Sequence, residues 1–214
     1  MAPLAAVPVS TLCDVDKSLP VVDPAIRPLT YSRKIFGPAY TVVATGEFLS
    51  VLYAIAEAAP GDVLVIQAGG APPAALGELL ATEAWRRGLG GIVVDGYVRD
   101  RAGLPPDLSL WARGTVPMAG RSDVAPRVGG PHECGGVRVN PGDLVLADDD
   151  GIVIAPPAQL EACVERAEQI ERVEAKVLGE VRVGSSLIGM TNLHEHVAAL
   201  RAGEQSSLAI TPPS

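Results

Sequence analysis

Two oppositely charged residues, Arg99 and Asp100, follow an apolar run that has the character of a buried strand. A guanidinium can clamp a planar carboxylate with two parallel hydrogen bonds, which a lysine cannot do equally well. An aspartate carboxylate is a hard oxygen ligand of the kind that Mg²⁺ or Mn²⁺ prefers. The pair therefore predicts a site where Arg99 holds a substrate carboxylate and Asp100 holds a metal. A solvated turn with a weak surface ion pair is the alternative.

A second carboxylate, Glu78, stands in the first turn of a predicted helix, after a loop that contains Gly69 and Gly70. Free backbone N–H groups at a helix start, together with the helix dipole, favour an anion. Glu78 is also a hard oxygen ligand suited to the same metal. Acidic residues are ordinary in a first helical turn, so this feature alone is weaker than the Arg-Asp pair.

The elements that must position these residues form one predicted βαβ unit. Residues 62–66 and 91–94 are continuous aliphatic runs, typical of strands buried on both faces, and residues 74–87 between them predict a helix. The two strands should be parallel. Because the carboxyl ends of such strands open on one crevice, Glu78 and the Arg-Asp pair are expected to meet there.

The rest of the chain predicts further short elements around this unit. A helix start is expected near Ser10, and the proline-containing segment that follows is expected to be extended. The residues from Gly203 onward are expected to form a loose tail. The patterns predict strands at 36–45, 108–111, 137–139, 144–147 and 152–155, and helices at 49–59 and 157–179.

Composition narrows the class of protein. The chain has 214 residues, of which 48% are apolar and only 4% aromatic, which favours a single α/β domain with a core of small aliphatic side chains. A net charge of −8 without clustered Lys or Arg argues against a nucleic-acid partner. There is no long apolar run and no secretory signal pattern, so we expect a cytoplasmic protein with no membrane contact.

Several cysteine and histidine residues that could suggest a metal or redox site are predicted to be structural. Cys13, Cys134 and Cys163 are widely spaced and odd in number, so they are interpreted as reduced thiols with packing roles. Residues 194–196 (HEH) lack metal-ligand spacing and are expected on a surface helix or tail. Residues 132–134 (HEC) are expected in a loop before a strand.

A series of motifs occurs in order along the chain and resembles a known family. The motifs include GELLAT at 77–82, GIVVDG at 91–96, VRD at 98–100, and PGDLVLAD at 141–148. They resemble the class II 4-hydroxy-4-methyl-2-oxoglutarate aldolase family, which includes the regulators of ribonuclease activity A (RraA). The likeness covers residues 10–185 or so.

The resemblance implies a fold and an assembly. The expected fold class is α/β. The expected architecture is an α-β-β-α sandwich of the swivelling-domain type with a C-terminal helix. It would be a single domain over residues 1–214, with a core at about 10–185 and a C-terminal extension at 186–214. The expected assembly is a homotrimer or a hexamer with sites at subunit interfaces.

The resemblance also implies an activity. The family would make this chain a Mg²⁺- or Mn²⁺-dependent lyase that cleaves a small 2-oxo acid to pyruvate. The expected substrates are 4-hydroxy-4-methyl-2-oxoglutarate or 4-carboxy-4-hydroxy-2-oxoadipate for an aldolase, and oxaloacetate for a decarboxylase. The alternative is a noncatalytic RraA-type regulator that binds a ribonuclease or a helicase.

Matching positions carry the family's roles to named residues. Asp100 matches the metal anchor, Arg99 the substrate arginine, and Glu78 the acid beside the metal's water. The substrate carboxylate would be held at the helix start by Gly77, Leu79 and Leu80.

One more acid is expected from the C-terminal helix of a neighbouring subunit. Glu174 is the candidate, with Glu171 and Glu180 next, although these acids could also form an ordinary solvated helix face. The chain departs from the family pattern at two places. Residues 67–70 read QAGG where many relatives have DGGG, and residues 101–103 (RAG) lack the acid that usually follows the Arg-Asp pair.

Overall fold

The computed structural model describes residues 4–70 and 72–211. The strands are β1 (Arg27–Pro28), β2 (Ile35–Val43), β3 (Val63–Gln67), β4 (Gly91–Val98), β5 (Leu110–Thr115), β6 (His132–Cys134), β7 (Val137–Val139), β8 (Leu144–Ala147) and β9 (Ile152–Ala155). The α-helices are α1 (Val9–Val15), α2 (Leu49–Glu57), α3 (Glu78–Arg86), α4 (Pro157–Glu161), α5 (Val164–Arg182) and α6 (Leu193–Arg201). Short 3₁₀ turns lie at Leu4–Ala6, Arg101–Gly103 and Ile188–Met190.

Seven strands form one mixed sheet in the order β1-β5-β4-β3-β2-β8-β9. Its centre is parallel from β2 through β5, and the flanking pairs β1·β5, β2·β8 and β8·β9 are antiparallel. β6 and β7 form a separate antiparallel pair. The predicted parallel pairing of the two βαβ strands is confirmed, with Val65 opposite Val93.

The sheet is buried on both faces, which explains its aliphatic strands. One core contains Leu64 and Ile66 together with buried residues of α2 and α3, and the other contains Val63 and Val65 with residues of β6 and β7. The helices α2 and α3 lie on the same face because successive right-handed crossovers advance in one direction across the sheet. The α/β prediction is confirmed, and helices follow the last strand toward the C-terminus.

The described chain divides into two compact units between Val164 and Glu165. The second unit contains most of α5 and all of α6. Residues 204–211 form no regular element apart from one bridge between Thr191 and Ile210, and the Asn192 side chain also bonds this segment. The predicted tail is therefore irregular but partly anchored. The single-domain assignment stays a prediction.

None of the helices within the described residues is both long and apolar enough to pass through a lipid bilayer.

Three local predictions differ from the structure. The helix expected at 74–87 begins only at Glu78, because Ala74 and Leu76 instead form isolated bridges with Ala119 and Val98. The helix expected at 157–179 is interrupted between α4 and α5, where the Cys163 N–H bonds to the Leu160 carbonyl three residues back at 3.1 Å. The segment expected as a loop at 132–134 is the short strand β6, whose His132 ring approaches the Val65 carbonyl at 2.8 Å. The residues 194–196 lie on the helix α6, as predicted.

The three cysteines are free, as predicted. Cys134 and Cys163 are buried, and Cys13 is partly buried. Burial raises the pKa of each thiol, because the thiolate loses its hydration. The burial of Cys134 and Cys163 agrees with the predicted packing roles.

The Val65→Ala variant should lose about 2 kcal/mol of unfolding free energy, because Val65 is fully buried between the sheet and the β6–β7 pair. Chemical denaturation followed by circular dichroism measures the loss. Val21→Ala is the control, since Val21 is 54% exposed and should lose far less. Equal losses at the two positions would contradict the described core.

Candidate functional site

A cavity of about 250 Å³ lies where α3 begins and β4 ends. Its lining combines charged and apolar residues. Its lining consists of Phe48, Ala74, Leu76, Gly77, Glu78, Leu79, Leu80, Arg99, Asp100 and Ala119. Six of these ten are the predicted site residues at the start of α3 and the end of β4. The prediction that these two segments lie close together is therefore confirmed.

Backbone hydrogen bonds fix the start of α3 against the end of β4. The Ala75 N–H donates to the Tyr97 carbonyl at 2.9 Å, and the Arg99 N–H donates to the Leu76 carbonyl at 3.0 Å. On the other side, the Ala74 N–H donates to the Met118 carbonyl at 2.8 Å. The segment before α3 is thus joined to the end of β4 through an isolated bridge, which brings the helix start to the Arg-Asp pair.

The first turn of α3 has free amides beside the cavity. The first helical hydrogen bond runs from the Ala81 N–H to the Gly77 carbonyl at 3.0 Å, so the amides of Glu78, Leu79 and Leu80 precede the helical ladder. Such amides bind anions with the aid of the helix dipole. Leu79 is 82% exposed, so this part of the cavity wall is open to solvent.

An irregularity in β4 precedes the charged pair. Val94 pairs with Ala112 and Tyr97 with Gly114, so β4 has one residue more than β5 between these pairs. Bulges of this kind redirect the end of a strand and are common beside functional sites.

Asp100 has left-handed backbone torsion angles, with φ 56° and ψ 40°. It is the one non-glycine residue with a positive φ in the described ranges. Aspartate tolerates this conformation better than most residues, but the conformation still costs free energy and such strain clusters at functional sites. The turn directs the Asp100 side chain back toward the start of α3.

Arg99 and Asp100 interact directly with each other. Arg99 Nε lies 3.2 Å from Asp100 Oδ2, and the two side chains are 40% and 46% exposed. An ion pair this exposed contributes about 1 kcal/mol or less to folding. Both groups therefore remain accessible to a ligand, and the pair is a poor explanation of stability.

Two glycines permit the close approach of the charged side chains. A methyl group on Gly77 would lie 2.5 Å from Asp100 Oδ2 and 2.8 Å from Arg99 Cγ. A methyl group on Gly103 would collide with the Glu78 carboxylate. Each segment therefore contributes a glycine against which the other segment's carboxylate rests.

Asp95 is one residue of the GIVVDG motif that lies outside this cavity. Its carboxylate accepts bonds from Arg113 Nε at 2.6 Å and from the Gly135 N–H at 2.7 Å, and Arg113 also reaches Asp23 at 2.7 Å. These two carboxylates raise the pKa of Arg113, and the Ala25 N–H together with Arg113 lowers the pKa of Asp23. Asp95 thus has a structural role, linking the sheet to the segments before β1 and after β6.

The remaining predicted residues have different outcomes. Glu174 is exposed on α5 in the second unit, and its catalytic role stays a prediction. Gln67 ends β3 and does not line the cavity. The apolar wall formed by Phe48 and Ala119 was missed, because these residues come from loops with no recognisable motif.

The donor atoms fit a hard divalent cation held with water and substrate. The cavity presents two carboxylates, Glu78 and Asp100, and its lining has neither histidine nor cysteine. Within residues 4–70 and 72–211, no three His, Cys, Asp or Glu side chains group closely enough to hold a metal ion by themselves. Mg²⁺ keeps several waters and takes only one or two protein carboxylates, so this limited donor set suits it.

The sequence matches one known protein family over most of its length. The RraA-like family, described as Aldolase/RraA, matches residues 9–154. The chain belongs to the RraA-like family. A protein of Halalkalibacterium halodurans that carries the provisional name 4-hydroxy-4-methyl-2-oxoglutarate aldolase is 37% identical over 166 residues, which cover 76% of this chain and 79% of that protein.

Solved RraA structures share the fold. The Streptomyces coelicolor protein RraAS2, described as an unusual member of the RNase ES inhibitor RraA family, has a TM-score of 0.72 and 32% identity over 81% of this chain and 92% of its own. The RNA-processing inhibitor RraA of Thermus thermophilus has a TM-score of 0.66 and 28% identity over 70% and 92% of the two chains. The RraA-like family thus includes proteins named as aldolases and proteins named as RNA-processing inhibitors.

Proposed function

We propose that this RraA-like protein is a metal-dependent carbon–carbon lyase that cleaves a short 2-oxo acid to pyruvate. The observation that carries the proposal is the convergence of Arg99, Asp100, Glu78 and the amides of α3 on one cavity. A protein that only binds a partner through its surface has no chemical need for this combination. The provisional aldolase name of the relative from Halalkalibacterium halodurans supports the same reaction class.

The free amides and Arg99 account for substrate binding. The amides of Leu79 and Leu80, together with Gly77 at the helix start, would hold the substrate's 1-carboxylate. The Arg99 guanidinium would donate to the 2-oxo oxygen, and its charge would stabilise the negative charge that develops there. Phe48 and Ala119 would exclude water from the other side of the substrate.

The proposed cofactor is Mg²⁺ or Mn²⁺, with Asp100 as its protein ligand. When bound, the cation would act as a Lewis acid toward the 2-oxo group. Its preference for hard oxygen ligands would match the Asp100 carboxylate and the oxygen atoms of a 2-oxo acid.

Bond cleavage would require a proton acceptor in the aldolase reaction. The C3–C4 bond breaks, its electron pair forms the enolate of pyruvate, and the 4-hydroxyl proton leaves so that C4 becomes a carbonyl. We propose that Glu78 receives that proton through a water, since Glu78 lines the same cavity. In oxaloacetate decarboxylation CO₂ leaves instead, and in both reactions C3 of the enolate takes up a proton.

We also propose that the protein assembles as a homotrimer or hexamer, with Glu174 completing a neighbour's site. The cavity walls at Glu78, Leu79 and Asp100 are exposed in the single chain, which leaves the site open to water. A second subunit would close it. Light scattering of the purified protein would measure the assembly.

The alternative function is that of a noncatalytic regulator. It draws support from the two RraA structures, whose descriptions name inhibition of RNA processing or of a ribonuclease. A regulator would not depend on Asp100 or on a divalent cation for its effect. The two functions therefore separate in a metal-dependent assay.

Pyruvate release tests the proposal. The protein is expected to release pyruvate from oxaloacetate and from 4-hydroxy-4-methyl-2-oxoglutarate with Mg²⁺ or Mn²⁺, and EDTA should abolish the release. Coupling to lactate dehydrogenase measures the rate, corrected for the metal-only reaction. If no substrate yields pyruvate above the metal-only rate, the lyase assignment is wrong and ribonuclease inhibition becomes the assay to perform.

A further inference from the structure

We propose that Gly103 is a positioning residue that sets the location of the Glu78 carboxylate, and that it acts only through Glu78. This inference rests on the proposed lyase function and assigns a role to a residue outside the cavity lining. The segments involved are the first turn of α3 and the 3₁₀ turn Arg101–Gly103 that follows Asp100.

The contact geometry supports this role directly. A methyl group on Gly103 would overlap both the carboxyl carbon and Oε2 of Glu78, and would lie 2.8 Å from Oε1. The whole carboxylate therefore occupies the volume that any other side chain at position 103 would fill. The Gly103 backbone does not require glycine for its own conformation, because its φ lies outside the left-handed region.

The arrangement is reciprocal with the packing of Asp100. Gly77 precedes Glu78 and supports the Asp100 carboxylate, whereas Gly103 follows Asp100 and supports the Glu78 carboxylate. The Gly103 N–H also donates to the Asp100 carbonyl at 3.0 Å, so the support for Glu78 is bonded to the backbone of Asp100. One turn of chain thus sets where both carboxylates lie.

This packing also explains the absence of an acid at residues 101–103. A carboxylate side chain at position 103 would compete with Glu78 for one place. Because residue 103 is glycine, the volume beside it is occupied by the carboxylate of Glu78, which extends from the first turn of α3. Glu78 therefore supplies the carboxylate beside residue 103.

The test is a double-mutant cycle between Gly103→Ala and Glu78→Ala. Gly103→Ala is expected to lower kcat/KM by about 10-fold, because displacing a group that orients a metal site typically costs 10- to 100-fold. The melting temperature should change little, since the clash is with the end of a flexible side chain. In the Glu78→Ala background, Gly103→Ala should have no further effect, because the volume is then empty.

Two readouts do not depend on turnover. Calorimetric titration with Mn²⁺ should show affinity weakened about 3- to 10-fold by Gly103→Ala and unchanged by the same substitution in Glu78→Ala. A crystal structure of Gly103→Ala should show the Glu78 carboxylate displaced. Gly130→Ala is the control, since a methyl group there meets no atom within 4 Å.

The outcomes separate the two proposals. If Gly103→Ala has the same effect with and without Glu78, or leaves the Glu78 carboxylate in place, the positioning role is wrong. If the unmodified protein is inert toward every oxo acid tested, the lyase function is wrong. In that case the displaced carboxylate and the Mn²⁺ titrations still decide whether Gly103 positions Glu78.

Discussion

Asp100→Asn should lower the metal-dependent rate of pyruvate release by about 10³-fold, which corresponds to about 4 kcal/mol of lost transition-state stabilisation. Asparagine has nearly the size and shape of aspartate but lacks the negative charge with which a carboxylate attracts a hard divalent cation. The left-handed backbone at this position makes asparagine the appropriate replacement, since asparagine tolerates that conformation as aspartate does. The variant is therefore expected to fold normally.

Calorimetry and kinetics together measure the Asp100→Asn effect. Mn²⁺ affinity should fall with the rate, while the melting temperature should stay nearly unchanged because the ion pair with Arg99 is about half exposed. Asp123→Asn is a matched control, since Asp123 belongs to another exposed pair, with Arg121 at 3.6 Å. A folded Asp100→Asn variant with normal Mn²⁺ affinity and normal rate would remove Asp100 from the site.

The second large effect is expected for the Arg99→Met variant, whose kcat/KM should fall about 10²- to 10³-fold. Methionine keeps much of the aliphatic stem that rests on Gly77 but removes the charge and the hydrogen-bond donors. Both substrate binding and the stabilisation of the oxo oxygen would be lost. We therefore expect KM to rise and kcat to fall.

A lysine at the same position separates charge from geometry. Arg99→Lys should recover only part of the loss, because an ammonium is a point charge without the planar fork of the guanidinium. Arg86→Met is the control, since Arg86 forms an exposed ion pair with Glu83 on the same helix α3. If Arg99→Met and Arg86→Met had equal rates, Arg99 would be an ordinary surface residue.

The sequence was sufficient to predict the centre of the fold. The aliphatic runs in β3 and β4 and the helix between them follow from local pattern, because a strand buried on both faces is built mainly from aliphatic residues. The convergence of Glu78 with Arg99 and Asp100 then follows from the general geometry of parallel strands. The cavity lining contains all three.

Other features depend on contacts that no local pattern records. Phe48 and Ala119 reach the cavity from loops distant in sequence. The strand β6 consists of three residues that pack on β3, so it forms by tertiary contact and not by its own propensity. The close approach of Glu78 to Gly103 likewise joins two segments, and the letters at 101–103 show only that an acid is missing.

The left-handed backbone of Asp100 would restrict how the proposed metal site could change its metal preference in evolution. Softer cations favour thiolate or imidazole ligands, which cysteine and histidine supply. At this position the main chain disfavours most side chains before any ligand chemistry is tested, and aspartate, asparagine and histidine are the polar residues that it accepts most readily. A change from hard to softer cations would therefore occur most easily by substitution of Asp100 with histidine. Any other soft ligand would first require a different backbone conformation at this turn.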